Sequence, residues 1–216
     1  MIKVFKGLRG TATLILGDCL AILPTLEGVD AVISDPPYGI GYKSTLVNIG
    51  ATEREAIIGD ESEMDLRFVL NLGMPVLCFG ASNFPAQLPH RGRWLCWDKR
   101  TVDGACDAML GSPIELAWCN KKTGYDKIVR CLHGGVVNAD GGKRVHPTQK
   151  PTFVMSQAIE WAAKSALTIC DPFMGSGTTG IACLRTGRNF IGIEIDPKHY
   201  ATACERMARE IDGELI

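Results

Sequence analysis

The chain has 216 residues, 46% of them hydrophobic, which is enough apolar surface for one full core and gives no reason to divide residues 1–216 into two domains. A formal net charge of −1 taken alone argues weakly against a nucleic-acid partner, and the lack of an apolar run of about 18 residues or of a leader-like start argues against a membrane span or export. The nine cysteines, an odd number with no Cys-x-x-Cys pair and mostly in apolar stretches, are expected to be reduced packing residues of a cytoplasmic protein and to hold no metal.

Strand-like apolar runs fall at residues 13–16, 31–34, 76–79, 94–97, 114–118, 167–170 and 191–194, and helix-like segments at 19–26, 65–72, 153–164, 178–186 and 198–211. The alternation predicts an open α/β sheet, with an antiparallel pair at one edge where no helix separates the 94–97 and 114–118 runs. The first run, Leu14-Ile15-Leu16, ends at Gly17-Asp18, where Asp18 suits a helix N-cap.

The second run ends in Asp35-Pro36-Pro37-Tyr38. Prolines hold φ near about −65° and lack a backbone donor, so the Asp35 carboxylate and the Pro36 carbonyl are available as acceptors beside the flat face of Tyr38. Two acceptors and a stacking surface suit the exocyclic amino group of a nucleobase displaced from its stack; the plainer alternative is a proline-stiffened turn. Residues 39–63 follow directly, rich in Gly, Ser, Thr and Asn, and are expected to fold over the extruded base.

Charge is unevenly placed. Residues 85–150 carry 11 basic and 6 acidic side chains, while the flanking thirds are net acidic. Lys121, Lys122, Lys127, Arg130, Lys143 and Arg144 belong to this basic stretch and are expected to contact nucleic-acid phosphates, the alternative being an ordinary solvated surface.

Next comes Asp171-Pro172-Phe173-Met174-Gly175-Ser176-Gly177-Thr178-Thr179-Gly180, set between a strand-like run and a helix-like one. Strand, glycine turn and helix form the arrangement that binds a nucleotide-like cofactor, with glycines free to take positive φ. The run Phe190-Ile191-Gly192-Ile193 then ends at Glu194, 23 residues after Asp171, where a carboxylate can accept from both ribose hydroxyls; a solvated strand-end charge is the alternative. Asp196 before Pro197 reads as the next N-cap.

Together these motifs resemble those of the S-adenosylmethionine (AdoMet) dependent amino-methyltransferases, which methylate N6 of adenine or N4 of cytosine in DNA. In that family the Asp-Pro-Pro-Tyr form mostly accompanies adenine and a Ser-Pro-Pro-Tyr form cytosine. The resemblance makes Asp35, Pro36, Pro37 and Tyr38 catalytic. It places Asp171 on the amino-acid part of the cofactor, with Phe173, Gly175, Ser176, Gly177 and Thr178 around it, Glu194 on the ribose and Asp18 near the adenine. His146-Pro147-Thr148-Gln149-Lys150-Pro151 is similar to the family's segment that closes over the methionine end. There His146, Thr148 and Lys150 become candidate ligands, with Lys150 reaching the carboxylate as a point charge. His146 is equally a loop histidine, and Thr152 equally a plain N-cap.

Catalytic motif first and cofactor motif last is the order of the β group. It implies a circularly permuted Rossmann-like fold with a mixed, mostly parallel seven-stranded sheet and target recognition in the basic third. The insertion at about 120–145 is small for that task, which points to a short recognition sequence or to a homodimer. The function implied is methyl transfer from AdoMet to N6 of adenine in double-stranded DNA with a flipped target base. N4-cytosine or RNA base methylation, and a non-catalytic AdoMet- or DNA-binding role, are the alternatives. The Pro-Cys motif that carbon-5 methylation requires is not in the sequence.

Overall fold

The computed structural model describes residues 1–39, 64–100, 112–132 and 149–213. Its elements are β1 (Ile2–Lys6), β2 (Thr11–Leu16), α1 (Cys19–Ile22), β3 (Ala31–Ser34), α2 (Arg67–Leu70), β4 (Val76–Phe79), β5 (Arg93–Asp98), β6 (Ile114–Cys119), β7 (Lys127–Arg130), α3 (Thr152–Ala162), β8 (Thr168–Asp171), α4 (Thr178–Arg185), β9 (Asn189–Glu194) and α5 (Pro197–Asp212). All seven apolar runs are strands. Two strands beyond them, β1 and β7, extend the sheet to nine in the order β1-β2-β9-β8-β3-β4-β6-β5-β7.

The centre of the sheet, β2 to β4, is parallel, because each strand returns through a crossover. Every residue of β3 and β4 is buried, as expected of continuous apolar strands covered on both faces. Alternation along β3 sends Ile33 into the core under α3, α4 and α5, and Val32 into the core shared with α1 and α2. The anticipated antiparallel pair is β5 with β6, and β6 also runs antiparallel to β4.

The two unanticipated strands are sheet edges. β1 pairs antiparallel with β2 from Ile2↔Ile15 to Lys6↔Thr11 and leaves Ile2 and Val4 exposed, while β7 buries only Val129. β7 lies inside the stretch expected as an insertion, and its pairing with β5 makes that part of the chain an edge of the main sheet. Two helix caps follow the sequence: Asp18 accepts from the Leu20 amide at 2.8 Å, and Asp196 from the Lys198 amide at 2.7 Å, with Pro197 in the first turn of α5. Thr152 is the first residue of α3, whose cap is Pro151.

Parallel strands present their C-terminal ends on one rim, where open α/β sheets bind ligands. Asp18, Glu194, Asp171 and Asp35, at or just after the ends of β2, β9, β8 and β3, therefore meet on that rim. The eight cysteines among the described residues are all free. No described helix is long and apolar enough to cross a membrane.

Candidate active site

The cofactor half of the site is built around the β8–α4 turn. Gly175 and Gly177 have φ of 52° and 82°, the left-handed conformation anticipated for a glycine turn. Glu194 clamps this turn from β9, accepting from the Gly175 amide at 2.8 Å through Oε2 and from the Asp196 amide at 2.8 Å through Oε1. Burial pushes its carboxyl above the usual range. From the other side, buried Arg206 of α5 donates to the Ser176 carbonyl at 2.7 Å, to Ser176 Oγ at 2.9 Å and to Thr178 Oγ1 at 3.1 Å. The neighbouring strand end is tied in as well, the Gly17 amide donating to the Glu194 carbonyl at 2.8 Å, so Asp18 stands next to Glu194.

Asp171 is 2% exposed and cross-braces the two motifs. Its Oδ1 accepts from Ser34 Oγ at 2.6 Å and from the Phe173 amide at 3.1 Å, and its Oδ2 accepts from Thr179 Oγ1 at 2.6 Å. Burial pushes its carboxyl up to about 6. A cavity runs along this turn, lined among others by Asp35, Lys150, Asp171, Phe173, Gly175 and Thr178. Carboxylates, hydroxyls, a glycine turn and an aromatic edge are a donor set that fits AdoMet, a cation bearing an amino acid and a ribose.

The Asp35–Tyr38 half of the candidate site faces the same cavity. Asp35 follows β3, and its Oδ1 accepts from the Tyr38 hydroxyl at 2.5 Å while its Oδ2 accepts from Lys150 Nζ at 2.6 Å. Lys150, expected at the cofactor carboxylate, is thus ion-paired with Asp35, and its Nζ lies 2.7 Å from Glu115 Oε1 and 5.2 Å from the centroid of the Phe79 ring. Lys99 closes the chain of charges at 3.2 Å from Glu115 Oε2. The reason is topological: β6 runs against its neighbours, so its N-terminal end, with Glu115, arrives on the rim that carries Asp35. Burial pushes Asp35 up, opposed by the Lys150 charge; burial works against the Lys150 ammonium, but Asp35 and Glu115 outweigh it and hold its pKa above the usual lysine value.

Tyr38 packs against Gly80, whose φ is +67° and where an added Cβ would stand 1.9 Å from Tyr38 Cε1. Glycine is required there twice over, by conformation and by space. Gly80→Ala is expected to push the ring off Asp35 and lower single-turnover methyl transfer by about 10–100-fold, since displacements near 1 Å cost up to that much. AdoMet binding, followed by calorimetry, should stay near wild type.

The basic residues expected on DNA do not gather in one place. Lys121 and Lys122 follow the C-terminal end of β6, which pairs with the start of β4 and so lies on the rim away from Asp35; Lys121 Nζ donates to the Trp161 carbonyl at 3.2 Å and sits over that indole. Lys127 opens β7, toward the same far rim. Arg130 closes β7 opposite Asp98, on the rim of Asp35, with its side chain 69% exposed and its Nε 3.6 Å from Asp98. His146, Thr148, Lys143 and Arg144, and most of the loop after Tyr38, lie outside the described residues.

Among the described residues, Ser34, Gly80, Glu115 and Arg206 join the site without having been anticipated. Two of them carry a signal in the sequence, a charge within an apolar pattern. Glu115 stands in Ile114-Glu115-Leu116-Ala117-Trp118, and Arg206 on the α5 face shared with Ala203 and Met207.

Residues 97–205, half of the chain, match the DNA methylase family of N6/N4 type. The chain belongs to the N6/N4 DNA methylase family. As a member it is an AdoMet-dependent DNA amino-methyltransferase with a Rossmann-like fold. The candidate methylase YubD of Escherichia coli K12 is 28% identical over 211 residues, covering 90% of this chain and 89% of that protein. The type II methyltransferase M2.DpnII of Streptococcus pneumoniae is 43% identical over 65 residues, 30% of this chain and 24% of its own.

Among solved structures, the candidate DNA modification methylase TTHA0409 of Thermus thermophilus superposes with a TM-score of 0.61 at 21% identity, covering 93% of this chain and 96% of that one. The PvuII DNA methyltransferase, described as cytosine-N4-specific, gives 0.56 at 13% identity, covering 94% and 92%. At these identities the structures share the fold.

Proposed function

We propose that this family member methylates N6 of adenine in double-stranded DNA, with the target base turned out of the helix into the cleft before Asp35 and Tyr38. The observation that carries the reading is that Asp35 and the Asp171–Thr178 turn line one cavity, so an amino group held by Asp35 lies next to whatever the turn binds. An aspartate, not a serine, heads the Pro-Pro-Tyr motif, the form that favours adenine over cytosine.

An aromatic amine is a weak nucleophile because its lone pair is delocalised into the ring. Asp35 and the Pro36 carbonyl accept hydrogen bonds from its two N–H groups and hold the nitrogen where the lone pair localises, while Tyr38 lies against the ring. Glu194, the Gly175–Gly177 turn and Asp18 hold the ribose and adenine side of the cofactor. Bound there, AdoMet supplies an activated methyl group on a sulfonium. Asp171 and Ser34 couple the two halves, so a displacement of the glycine turn is passed to β3.

Incubation with methyl-labelled AdoMet and either unmethylated DNA or RNA, followed by digestion to nucleosides, tests the reading. Label in N6-methyladenine of DNA supports it. Label in N4-methylcytosine overturns the adenine assignment, and label in RNA but not in DNA overturns the choice of DNA. On the DNA side, Arg130→Ala is expected to weaken binding to all sequences and to reduce the slope of log affinity against log salt by about one, as one phosphate contact is lost. A Lys121→Ala/Lys122→Ala pair, on the far rim, should leave that slope unchanged; fluorescence anisotropy across a salt series distinguishes the two.

A further inference from the structure

The Asp35–Lys150–Glu115–Lys99 chain of charges goes beyond the roles read from the motifs. Each link is at contact distance: 2.6 Å, 2.7 Å and 3.2 Å. The side chain of Lys150 is 6% exposed and comes from the opposite end of the catalytic unit, 115 residues along the chain from Asp35. Its ammonium is also held over the Phe79 face, so its position is set by two carboxylates and a ring.

We propose that Lys150 is a positioning residue for methyl transfer: held in place by Glu115, it orients the Asp35 carboxylate and keeps it ionised for the target amino group. The proposal rests on the reading of Asp35 given above. Each carboxylate oxygen has two acceptor positions, so Lys150 on Oδ2 and Tyr38 on Oδ1 still leave Asp35 able to take an amino proton. Without the ammonium, an aspartate in this buried place would take up a proton and present an O–H where an acceptor is needed. The amino nitrogen gains its methyl as the N–C bond forms and the S–C bond breaks, and it must then shed one proton. An ionised Asp35 beside it can receive that proton; a protonated one cannot.

Among the described residues, the groups facing Asp35 are Tyr38 on its own turn, Lys150, Glu115 of β6 with Lys99 behind it, Asp171 at the end of β8 and Cys78 of β4. Lys150 is the cation among them in contact with Asp35, and Glu115 an anion that opposes it. Replacing one or the other must therefore shift the Asp35 titration in opposite directions, a signature that loss of packing does not produce.

The test is the pH profile of single-turnover methyl transfer to unmethylated DNA, with AdoMet affinity measured for each variant. In Lys150→Met the acid limb should move to higher pH by at least about one unit, a tenfold loss at any pH below it that is regained on the alkaline side. In Glu115→Gln the limb should move to lower pH, because Asp35 then has Lys150 to itself. Lys150→Arg, which keeps the charge, should hold the limb near its wild-type position. Glu115→Gln and Lys150→Arg decide the matter if Lys150→Met does not fold. Limbs that stay put, or that shift in the same direction for Lys150→Met and Glu115→Gln, overturn the proposal. A wild-type protein that transfers no methyl to DNA overturns the proposed function instead, so the two failures are separable.

Discussion

Replacing Asp35 with alanine is expected to lower single-turnover methyl transfer by at least about 10³-fold, at the upper end of what one preorganised transition-state contact supplies. AdoMet affinity should change by less than about threefold, because the cofactor's expected polar contacts come from the β8–α4 turn, Glu194 and Asp18. The fold should survive the change. Lys150 keeps Glu115 as a counter-ion at 2.7 Å, and Tyr38 has Glu115 Oε1 within 3.4 Å, so neither is abandoned in the interior. Calorimetry with AdoMet and rapid-quench assays on DNA measure the two quantities separately. A variant retaining more than about a tenth of wild-type turnover would mean that Asp35 to Tyr38 form a turn and nothing more.

What was legible in the sequence is what depends on local chemistry. The seven strand-like runs announce themselves by apolar content between turns, and Asp171 to Gly180 is readable because glycine spacing and an acid at a strand end constrain the backbone directly. Asp196 and Asp18 cap helices for the same local reason. The edge strands were hidden because an edge buries little: Ile2 and Val4 of β1 face outward, and β7 contributes one buried residue.

Strand direction was the larger gap. Nothing in Ile114–Cys119 says that it runs against β4, yet that reversal delivers Glu115 to Asp35 and carries Lys121 and Lys122 away from it. The ion pairs of Lys150 were missed by the same kind of omission, since its partner Glu115 lies 35 residues earlier in a strand read only as apolar. A charged residue inside an apolar run asks for a buried counter-charge, and that question, put to Glu115, points to a lysine such as Lys150.

Gly177 is where the cofactor half is most easily broken, and Gly177→Val is expected to cost roughly 2–4 kcal/mol of stability together with at least about 100-fold in AdoMet affinity. At φ +82° a β-branched residue is strained wherever it sits, and here its Cβ would also stand 3.1 Å from Ala203 Cβ and 3.1 Å from Met207 Cε. The obstruction is thus α5, which the turn packs against, and not the ligand space in front of it. To relieve it the turn must lift, which pulls the Gly175 amide from Glu194 and the Ser176 carbonyl from Arg206. The cofactor then loses a pre-formed site even though no side chain has been placed in its way. Glu194→Ala, which removes the clamp and the expected ribose ligand but leaves the backbone unstrained, should weaken AdoMet by a smaller amount, roughly 1–3 kcal/mol, which is what a charge-assisted hydrogen bond contributes. Urea denaturation and AdoMet calorimetry on both variants separate the two causes: Gly177→Val must lose stability and affinity together, Glu194→Ala chiefly affinity. Wild-type affinity in Gly177→Val would show that the turn does not hold the cofactor.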